Sequence, residues 1–282
     1  MPELTNINYI QSLCGKHGFS LSKGFGQNFI INPAICPRMI AESGIDQSYG
    51  VLEIGPGIGV LTKEAARAAA KVVAVEVDTR LPALLSESLA EFDNVKIVLG
   101  DVLKTDLAAL IREEFSGLKV AVIANLPYYI TSPIVMKLLE ERLPIESITV
   151  MVQKEAGDRI SAVPGSRESG AISLAVRYFA EPKMLFSVAP GNFMPPPKVT
   201  SAVIKLVPHK DPPVVPADEA RMFAIIRAAF CQRRKTSVNA ISAGLSLPKT
   251  AVLAAVESLG KGALVRPENL VLEDFAALSA LL

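Results

Sequence analysis

Two short segments carry residues whose types and spacing suit chemistry on a bound nucleotide. Residues 55–59 read Gly-Pro-Gly-Ile-Gly and follow an apolar run at 51–54, and residues 125–128 read Asn-Leu-Pro-Tyr and follow a second apolar run at 120–124. Glycines let a backbone approach a ligand closely, whereas an amide and an aromatic ring can bind and stack a base. The two segments predict a cofactor site and a substrate site at the ends of buried strands.

The glycine segment is typical of a strand-to-helix turn that holds a nucleotide cofactor. Its glycines are Gly55, Gly57 and Gly59, and the dinucleotide pattern would require a further glycine where this sequence has Val60. S-adenosyl-L-methionine has no pyrophosphate, so the spacing favours this cofactor over NAD. A tight turn without any ligand is the alternative for this segment taken alone.

Two carboxylates downstream strengthen the prediction of a cofactor site. Glu76 ends the second predicted strand, 21 residues after Gly55, and a carboxylate there can accept both ribose hydroxyls. Asp101, with the adjoining Val102, follows the third strand and can accept a hydrogen bond from the adenine amine of the cofactor. Each acid alone could be a solvated loop carboxylate. Three successive strand ends with such groups favour a bound cofactor.

The Asn-Leu-Pro-Tyr segment suits methyl transfer to a conjugated amine such as that of adenine. The side-chain oxygen of Asn125 and the backbone carbonyl of Leu126 can accept from the two N–H groups and free the lone pair of the amine. Pro127 holds the turn rigid, and Tyr128 can stack on the base, a contact worth ~1–3 kcal/mol. An amide is not a base, so we expect the proton to leave after methyl transfer, and a second methylation is possible. A Pro-kinked connection with an Asn cap is the alternative.

The arrangement of the elements predicts an α/β protein with a doubly wound, mostly parallel sheet of the Rossmann-like methyltransferase kind. Apolar runs without strict alternation are typical of strands that are buried on both faces, and alternation of strands with helices indicates parallel pairing. We predict strands near 51–54, 71–77, 95–99, 120–124, 147–152, 184–188 and 201–207, with helices near 60–69, 79–91, 104–115 and 132–142.

A Pro-rich link at 209–216 predicts a domain boundary. Beyond it the sequence predicts four helices, near 218–231, 234–243, 248–258 and 268–281. We therefore expect a cofactor-binding domain at 1–210, which includes a helical N-terminal extension at 1–48, and a small all-α RNA-binding domain at 217–282.

Charge is unevenly distributed along a chain whose overall net charge is +1. Residues 182–256 contain ten Lys or Arg residues and three acidic residues, which gives a local net charge of +7. Arg227, Arg233, Arg234 and Lys235 lie within an acid-free stretch and predict contacts to RNA phosphates, although a solvated helix face is the alternative. Phe193, followed after Met194 by three prolines, suits a rigidly presented aromatic side chain or a core residue that anchors its loop.

Composition excludes several other classes of protein. The chain has 282 residues, of which 50% are hydrophobic and 20% charged, so a packed core is expected. The three cysteines are widely spaced and the two histidines lack neighbouring acids or cysteines, so we expect no disulfide framework and no metal site. The N-terminus lacks a secretion signal, and no apolar run is long enough to span a bilayer. These features predict a cytoplasmic protein.

Four segments together resemble the ribosomal RNA adenine dimethyltransferases. They are residues 23–29 (Lys-Gly-Phe-Gly-Gln-Asn-Phe), 125–128, 193–199 (Phe-Met-Pro-Pro-Pro-Lys-Val) and 232–236 (Gln-Arg-Arg-Lys-Thr). The similarity extends from about residue 20 to the segment at 266–270. Within this family the chain is most similar to the bacterial small-subunit enzymes, which are closely related to the erythromycin-resistance ribosomal RNA methyltransferases.

The resemblance implies roles that spacing alone does not supply. Asn28 and Ile30 would line the cofactor pocket, and Phe193 would cover the face of the target adenine opposite Tyr128. Lys23 and Lys198, in two of the matching segments, would contact RNA. The substrate would be two adjacent adenosines in a hairpin loop near the 3′ end of 16S rRNA, within an assembling small subunit, and the enzyme is expected to act as a monomer.

Two other functions remain open at this point. One is methylation of adenine in 23S rRNA, as in macrolide resistance. The other is a non-catalytic RNA-binding assembly or transcription factor on the same fold, against which Glu76, Asp101 and Asn125 argue. Methylation of DNA amines is a weaker possibility, because the basic C-terminal helices resemble those of the RNA enzymes.

Overall fold

The computed structural model describes residues 3–20, 27–232 and 234–282. The chain forms two compact units, one comprising Met1–Gly157 with Lys183–Pro208 and the other Asp158–Pro182 with His209–Leu282. The sequence predicts domains at 1–210 and 217–282, which would put residues 158–182 in the first domain. In the structure these residues belong to the second unit. Within the described part of the chain, no helix is both long and apolar enough to cross a membrane.

The strands and helices follow in chain order. The strands are β1 (Phe29–Ile30), β2 (Tyr49–Ile54), β3 (Lys71–Glu76), β4 (Val95–Leu99), β5 (Lys119–Asn125), β6 (Ser147–Gln153), β7 (Ala180–Val188), β8 (Phe193–Met194) and β9 (Ser201–Pro208). The helices are α1 (Ile7–Lys16), α2 (Ile35–Ser43), α3 (Val60–Ala68), α4 (Pro82–Ser88), α5 (Leu107–Glu114), α6 (Thr131–Glu140), α7 (Lys154–Ser161), α8 (Ala171–Phe179), α9 (Glu219–Phe230), α10 (Ser237–Leu245), α11 (Lys249–Ser258) and α12 (Leu272–Leu281).

Seven strands form one sheet in the order β4-β3-β2-β5-β6-β9-β7. The strands from β4 to β6 pair in parallel, and β9 pairs with β6 in antiparallel fashion. Val51, Val72 and Val122 are fully buried, as expected for strands covered on both faces. The predicted α/β fold with a mostly parallel sheet is confirmed. Chain order reverses between β2 and β5, and ligands of open α/β sheets bind in the crevice outside the strand ends at this point.

Local capping explains where several helices begin later than their periodicity predicts. The side chain of Asp106 accepts from the N–H of Ala109 at 2.9 Å, so α5 starts at residue 107 and not at 104. Thr236 caps α10 by accepting from the N–H of Asn239 at 3.4 Å. The predicted last helix divides into a 3₁₀ turn at Pro267–Asn269 and α12, because the Asp274 carboxylate accepts from the N–H of the residue before α12.

A second, two-stranded sheet was not predicted from the sequence. β1 and β8 pair in antiparallel fashion, with Phe29 opposite Met194 and Ile30 opposite Phe193. Both strands lie in the first unit, and Phe29, Ile30 and Phe193 are all buried there. This pairing places β1 and the residues before it beside Phe193, the first residue of β8.

The second unit is helical apart from the first residues of β7. Its buried core contains side chains of α8, α9, α10, α11 and α12, including Tyr178, Met222, Ile241, Val252 and Phe275. Helices α7 and α8 were not predicted, whereas α9, α10, α11 and α12 fall close to their predicted positions.

Candidate active site

One cavity of the first unit collects most of the residues that the sequence marks for chemistry. It lies at the carboxyl ends of the parallel strands, and its lining includes side chains or backbone of Asn28, Ile30, Gly55, Gly57, Glu76, Asp101, Val102, Asn125, Leu126, Pro127, Tyr128 and Phe193. These residues come from the ends of four parallel strands, from β1 and the residue before it, and from β8. The sheet therefore brings the predicted cofactor and substrate groups to a common site, as the parallel topology requires.

The glycine turn has the backbone conformation that its residue types indicate. Gly55, Gly57 and Gly59 have φ angles of 69°, 58° and 92°, in the left-handed region that residues with a Cβ rarely adopt. A Cβ on Gly57 would lie 3.4 Å from Cε1 of Phe29, so the turn is closely packed against β1. Gly59 is absent from the described cavity lining and precedes α3, where a Cβ would lie 3.1 Å from Leu89. A glycine at position 59 therefore allows close packing against Leu89 and the start of α3.

Glu76 lies at the end of β3 with an exposed fraction of 5%. Its Oε1 accepts from the N–H of Asp78 at 2.8 Å, which fixes the orientation of the carboxyl group at the cavity wall. Burial raises the pKa of Glu76, and hydrogen bonds from the N–H groups of Asp78 and Gly57 oppose this rise. A carboxylate held in this way can accept hydrogen bonds from the hydroxyls of a ribose.

Asp101 follows β4 and is partly exposed at the same cavity. Its Oδ1 accepts from the N–H of Leu103 at 3.0 Å, and its Oδ2 lies 3.8 Å from Nζ of Lys104. The carboxylate is therefore oriented by its own loop and can accept from a cofactor amine. Asp101 and Glu76, beside the glycine turn, provide acceptors for the base and the ribose of an adenosyl group, which fits S-adenosylmethionine.

The amide of Asn125 is oriented by a residue 97 positions away in the chain. Its Nδ2 donates to the backbone carbonyl of Asn28 at 3.1 Å. A carbonyl can only accept, so the atom that faces Asn28 must be the nitrogen, and Oδ1 becomes the acceptor that the side chain can offer to a substrate. The adjoining Leu126 is fixed by its N–H, which donates to the Met151 carbonyl on β6 at 3.0 Å.

Two aromatic residues of the cavity are rigidly held. The hydroxyl groups of Tyr128 and Ser201 share a hydrogen bond of 2.7 Å, and burial raises the pKa of the tyrosine. Phe193 is 3% exposed, belongs to the buried core of the first unit and lines the cavity. Phe193 is therefore a core residue that also lines the cavity, and its contact with a substrate base stays a prediction.

Sequence reasoning missed three residues of this region. Glu53, the penultimate residue of β2, is 1% exposed, and burial raises the pKa of its carboxyl to about 8, with a further contribution from Glu76. Among the described residues no hydrogen-bond partner is found for its Oε2. A Glu inside an apolar run is the signal that could have found it. Gln27 and Ser201 carry no comparable signal, because their roles depend on contacts with distant segments.

None of the predicted RNA-binding residues that the structure describes is among those that line this cavity. Lys23 and Arg233 fall outside the described residues. Lys198 is an exposed residue of the first unit, in the loop between β8 and β9. Arg227, Arg234 and Lys235 are exposed in the second unit, at the end of α9 and in the connection to α10. Within the described residues, no group of three or more His, Cys, Asp or Glu side chains is placed to hold a metal ion.

The sheet, the glycine turn and the two strand-end carboxylates define an S-adenosylmethionine-dependent methyltransferase of the α/β class. The family model described as ribosomal RNA adenine dimethylase matches residues 18–266. The chain belongs to this family.

Relatives over nearly the whole chain agree with this assignment. A protein of Lachnoclostridium phytofermentans is 47% identical over 267 residues, covering 94% of this chain and 92% of that protein, and one of Lysinibacillus sphaericus is 44% identical over 273 residues, covering 95% and 93%. Both are named ribosomal RNA small subunit methyltransferase A.

Two solved structures also resemble this chain. A dimethyladenosine transferase from Plasmodium falciparum has a TM-score of 0.73 at 26% identity, covering 89% of this chain and 95% of that one. The 23S rRNA methyltransferase ErmE has a TM-score of 0.66 at 26% identity, covering 90% and 99%. Membership of this family shows that the chain catalyses the dimethylation of adenine in ribosomal RNA.

Proposed function

We propose that this chain transfers methyl groups from S-adenosylmethionine to the N6 amines of two adjacent adenosines in a hairpin loop near the 3′ end of 16S rRNA. The observation that carries the proposal is the orientation of Asn125. Its Nδ2 is held by the Asn28 carbonyl at 3.1 Å, in the same cavity as Glu76 and Asp101. An acceptor is thereby available for an adenine amine beside groups that suit an adenosyl cofactor.

The residues of the cavity suggest how the amine is made reactive. The lone pair of the adenine amine is delocalised into the ring, so the free amine is a poor nucleophile. Oδ1 of Asn125 and the backbone carbonyl of Leu126 accept hydrogen bonds from the two N–H groups of the amine. These bonds favour a pyramidal nitrogen. S-adenosylmethionine, when bound, supplies an electrophilic methyl group. Positioning and electrostatics provide most of the acceleration, and the proton leaves after transfer because neither acceptor is a base.

Tyr128 and Phe193 are proposed to hold the base between them. The bond from Tyr128 to Ser201 fixes one ring, and the pairing of Phe193 with Ile30 fixes the segment that carries the other. A single-stranded loop lets an adenine leave its stack and enter such a pocket. A monomethylated amine keeps one N–H, which can still donate to one of the two acceptors, so a second transfer is possible in the same pocket.

Relatives at 44–47% identity are named for the small-subunit RNA, which supports this RNA as the substrate. We propose further that the RNA is methylated within an assembling small subunit. The exposed Arg227, Arg234 and Lys235, together with Lys198 and with Lys23 and Arg233 outside the described residues, are proposed to contact RNA phosphates. A cytoplasmic monomer without a resident metal completes the proposal.

The test uses immature small subunits that lack adenine dimethylation. The protein is incubated with these particles or with 23S rRNA and an isotopically labelled methyl donor, and mass spectrometry of the nucleosides locates the label. We expect two labelled dimethyladenosines in 16S rRNA. Label confined to 23S rRNA would support the macrolide-resistance type, and an absence of label with retained RNA binding would support a non-catalytic assembly factor.

Asn125→Ala tests whether the amide is needed for methyl transfer, in comparison with the wild-type protein. We expect turnover to fall by about 100-fold or more, because an interaction needed mainly in the transition state is removed. Cofactor affinity measured by calorimetry should change little. Wild-type turnover in this variant would refute the role assigned to the amide.

A further inference from the structure

Asn125 can serve its proposed role only if its amide keeps one orientation. A rotation of the amide by half a turn would exchange the acceptor for a donor and would present N–H groups to the N–H groups of the substrate. The contact that fixes the orientation is the 3.1 Å bond to the main-chain carbonyl of Asn28. The position of that carbonyl therefore matters for the reaction, and the side chain of Asn28 does not provide it.

The main chain at Asn28 is held on both sides. On the C-terminal side Phe29 and Ile30 form β1, and the Phe29 ring lies against Gly57. On the N-terminal side the Gln27 side chain donates from Nε2 to Oδ2 of Asp78 at 3.1 Å. Gln27 also lines the cavity, so its bond to Asp78 crosses from the segment before β1 to the residues after β3.

Asp78 is a firmly fixed acceptor for Gln27. It is 2% exposed, and Arg80 binds both of its oxygens, with Nε at 2.8 Å from Oδ1 and Nη2 at 2.6 Å from Oδ2. The Arg80 guanidinium lowers the pKa of the Asp78 carboxyl, so the group is ionised at neutral pH. The N–H of Asp78 also donates to Glu76, the proposed ribose ligand, at 2.8 Å. One residue thus contacts both the cofactor acid and Gln27.

We propose that Gln27 is a positioning residue for Asn125: by bonding to Asp78 it fixes the Asn28 carbonyl, and that carbonyl sets which atom of the Asn125 amide faces the substrate. The inference deepens the proposed function and rests on it. Gln27 itself contacts neither reacting atom in this scheme. Its effect on the rate should therefore pass through Asn125.

The first measurement compares Gln27→Met with a matched control. Methionine keeps the length of the side chain and removes the donor. Gln47→Met makes the same change at an exposed glutamine whose Nε2 donates to the Ala68 carbonyl at 3.0 Å. We expect Gln27→Met to lower kcat about tenfold, because small misplacements of a catalytic group are costly, with cofactor Kd changed less than about threefold. Gln47→Met should leave both unchanged.

A double-mutant cycle with Asn125→Ala separates positioning from a general structural effect. If Gln27 acts through the amide, Gln27→Met should change the residual rate of Asn125→Ala by less than about twofold. A tenfold loss in both backgrounds would overturn the inference, as would a wild-type kcat in Gln27→Met. Wild-type activity of Asn125→Ala would instead defeat the proposed function, so the two failures are distinguishable.

Thermal unfolding of each variant checks the folded state. If Gln27→Met does not fold, Gln27→Asn takes its place in the same cycle, since it keeps an amide but is one methylene too short to hold Asp78 at the present distance. A Gln27→Asn variant that is folded and fully active would also overturn the inference.

Discussion

The hydroxyl of Tyr128 lies 2.7 Å from the hydroxyl of Ser201, the fully buried first residue of β9. The bond connects the catalytic segment after β5 to a strand two positions away in the sheet. A tyrosine that stacks on a base needs a fixed ring, and this hydrogen bond helps to hold the ring in one position.

Loss of the Ser201 hydroxyl should weaken substrate handling without affecting cofactor binding. We expect Ser201→Ala to lower kcat/KM for RNA about three- to tenfold, the equivalent of one hydrogen bond of roughly 1 kcal/mol. Tyr128→Ala should cost more, ~1–3 kcal/mol, because the stacking surface is also removed. Cofactor Kd is measured in parallel. A loss of cofactor binding in Ser201→Ala would show that the bond supports the cavity as a whole.

Glu53 should make the stability of the protein decrease as pH rises. Burial raises the pKa of its carboxyl from 4.5 to about 8, so the folded state binds more protons than the unfolded state between these values. Stability from this group is present below pH 4.5 and is lost as pH rises through about 8. Glu53→Gln should remove this contribution and be more stable than the wild type at pH 8.5, by on the order of a few kcal/mol.

Urea unfolding at pH 5 and pH 8.5 measures the effect. Some pH dependence should persist in the variant, since burial also raises the pKa of Glu76. Glu42→Gln, a change in a surface pair with Arg38, is the control and should be nearly neutral at both values. An identical pH slope in Glu53→Gln and the wild type would mean that Glu53 is ionised throughout.

The double role of Phe193 can be separated by two substitutions. Phe193→Ala should lower the free energy of unfolding by ~3–5 kcal/mol, because the ring is buried in the core of the first unit. Phe193→Leu fills most of that volume but offers no aromatic face, so it should remain folded and lose kcat/KM for RNA by about tenfold. Full activity in a stable Phe193→Leu would leave only the packing role.

The sequence was sufficient for the sheet and for the members of the site that end its strands. Glu76, Asp101 and Asn125 follow apolar runs, and parallel strands bring their carboxyl ends to one edge, so their common position in the cavity follows from local pattern and topology. The pairing of β1 with β8 could not be predicted, because two-residue strands 164 positions apart have no periodicity.

The hydrogen bonds that orient the site were also beyond sequence reasoning. The bonds from Asn125 to Asn28 and from Gln27 to Asp78 join residues that lie 97 and 51 positions apart. Such bonds depend on packing after the sheet has formed, and nothing in the residue types specifies the partner. Family resemblance indicated Asn28 as a cavity residue but gave no reason for its position. The structure supplies one, in the carbonyl that accepts from Asn125.

The exposed basic residues after α9 give a prediction about salt. Arg234 and Lys235 lie in the connection from α9 to α10. A plot of the logarithm of the RNA association constant against the logarithm of the salt concentration becomes less steep by about 0.7 for each phosphate of a single-stranded site that the protein no longer neutralises. Arg234→Glu with Lys235→Glu should weaken binding of the hairpin RNA and flatten this slope by about 1.4. Fluorescence anisotropy across a potassium chloride series measures both quantities. Lys249→Glu, a charge reversal on α11, is the control. Affinity alone can fall when a variant is partly unfolded, whereas the slope reports the number of phosphates that the folded protein neutralises. An unchanged slope in the double variant would therefore place the RNA-binding surface elsewhere.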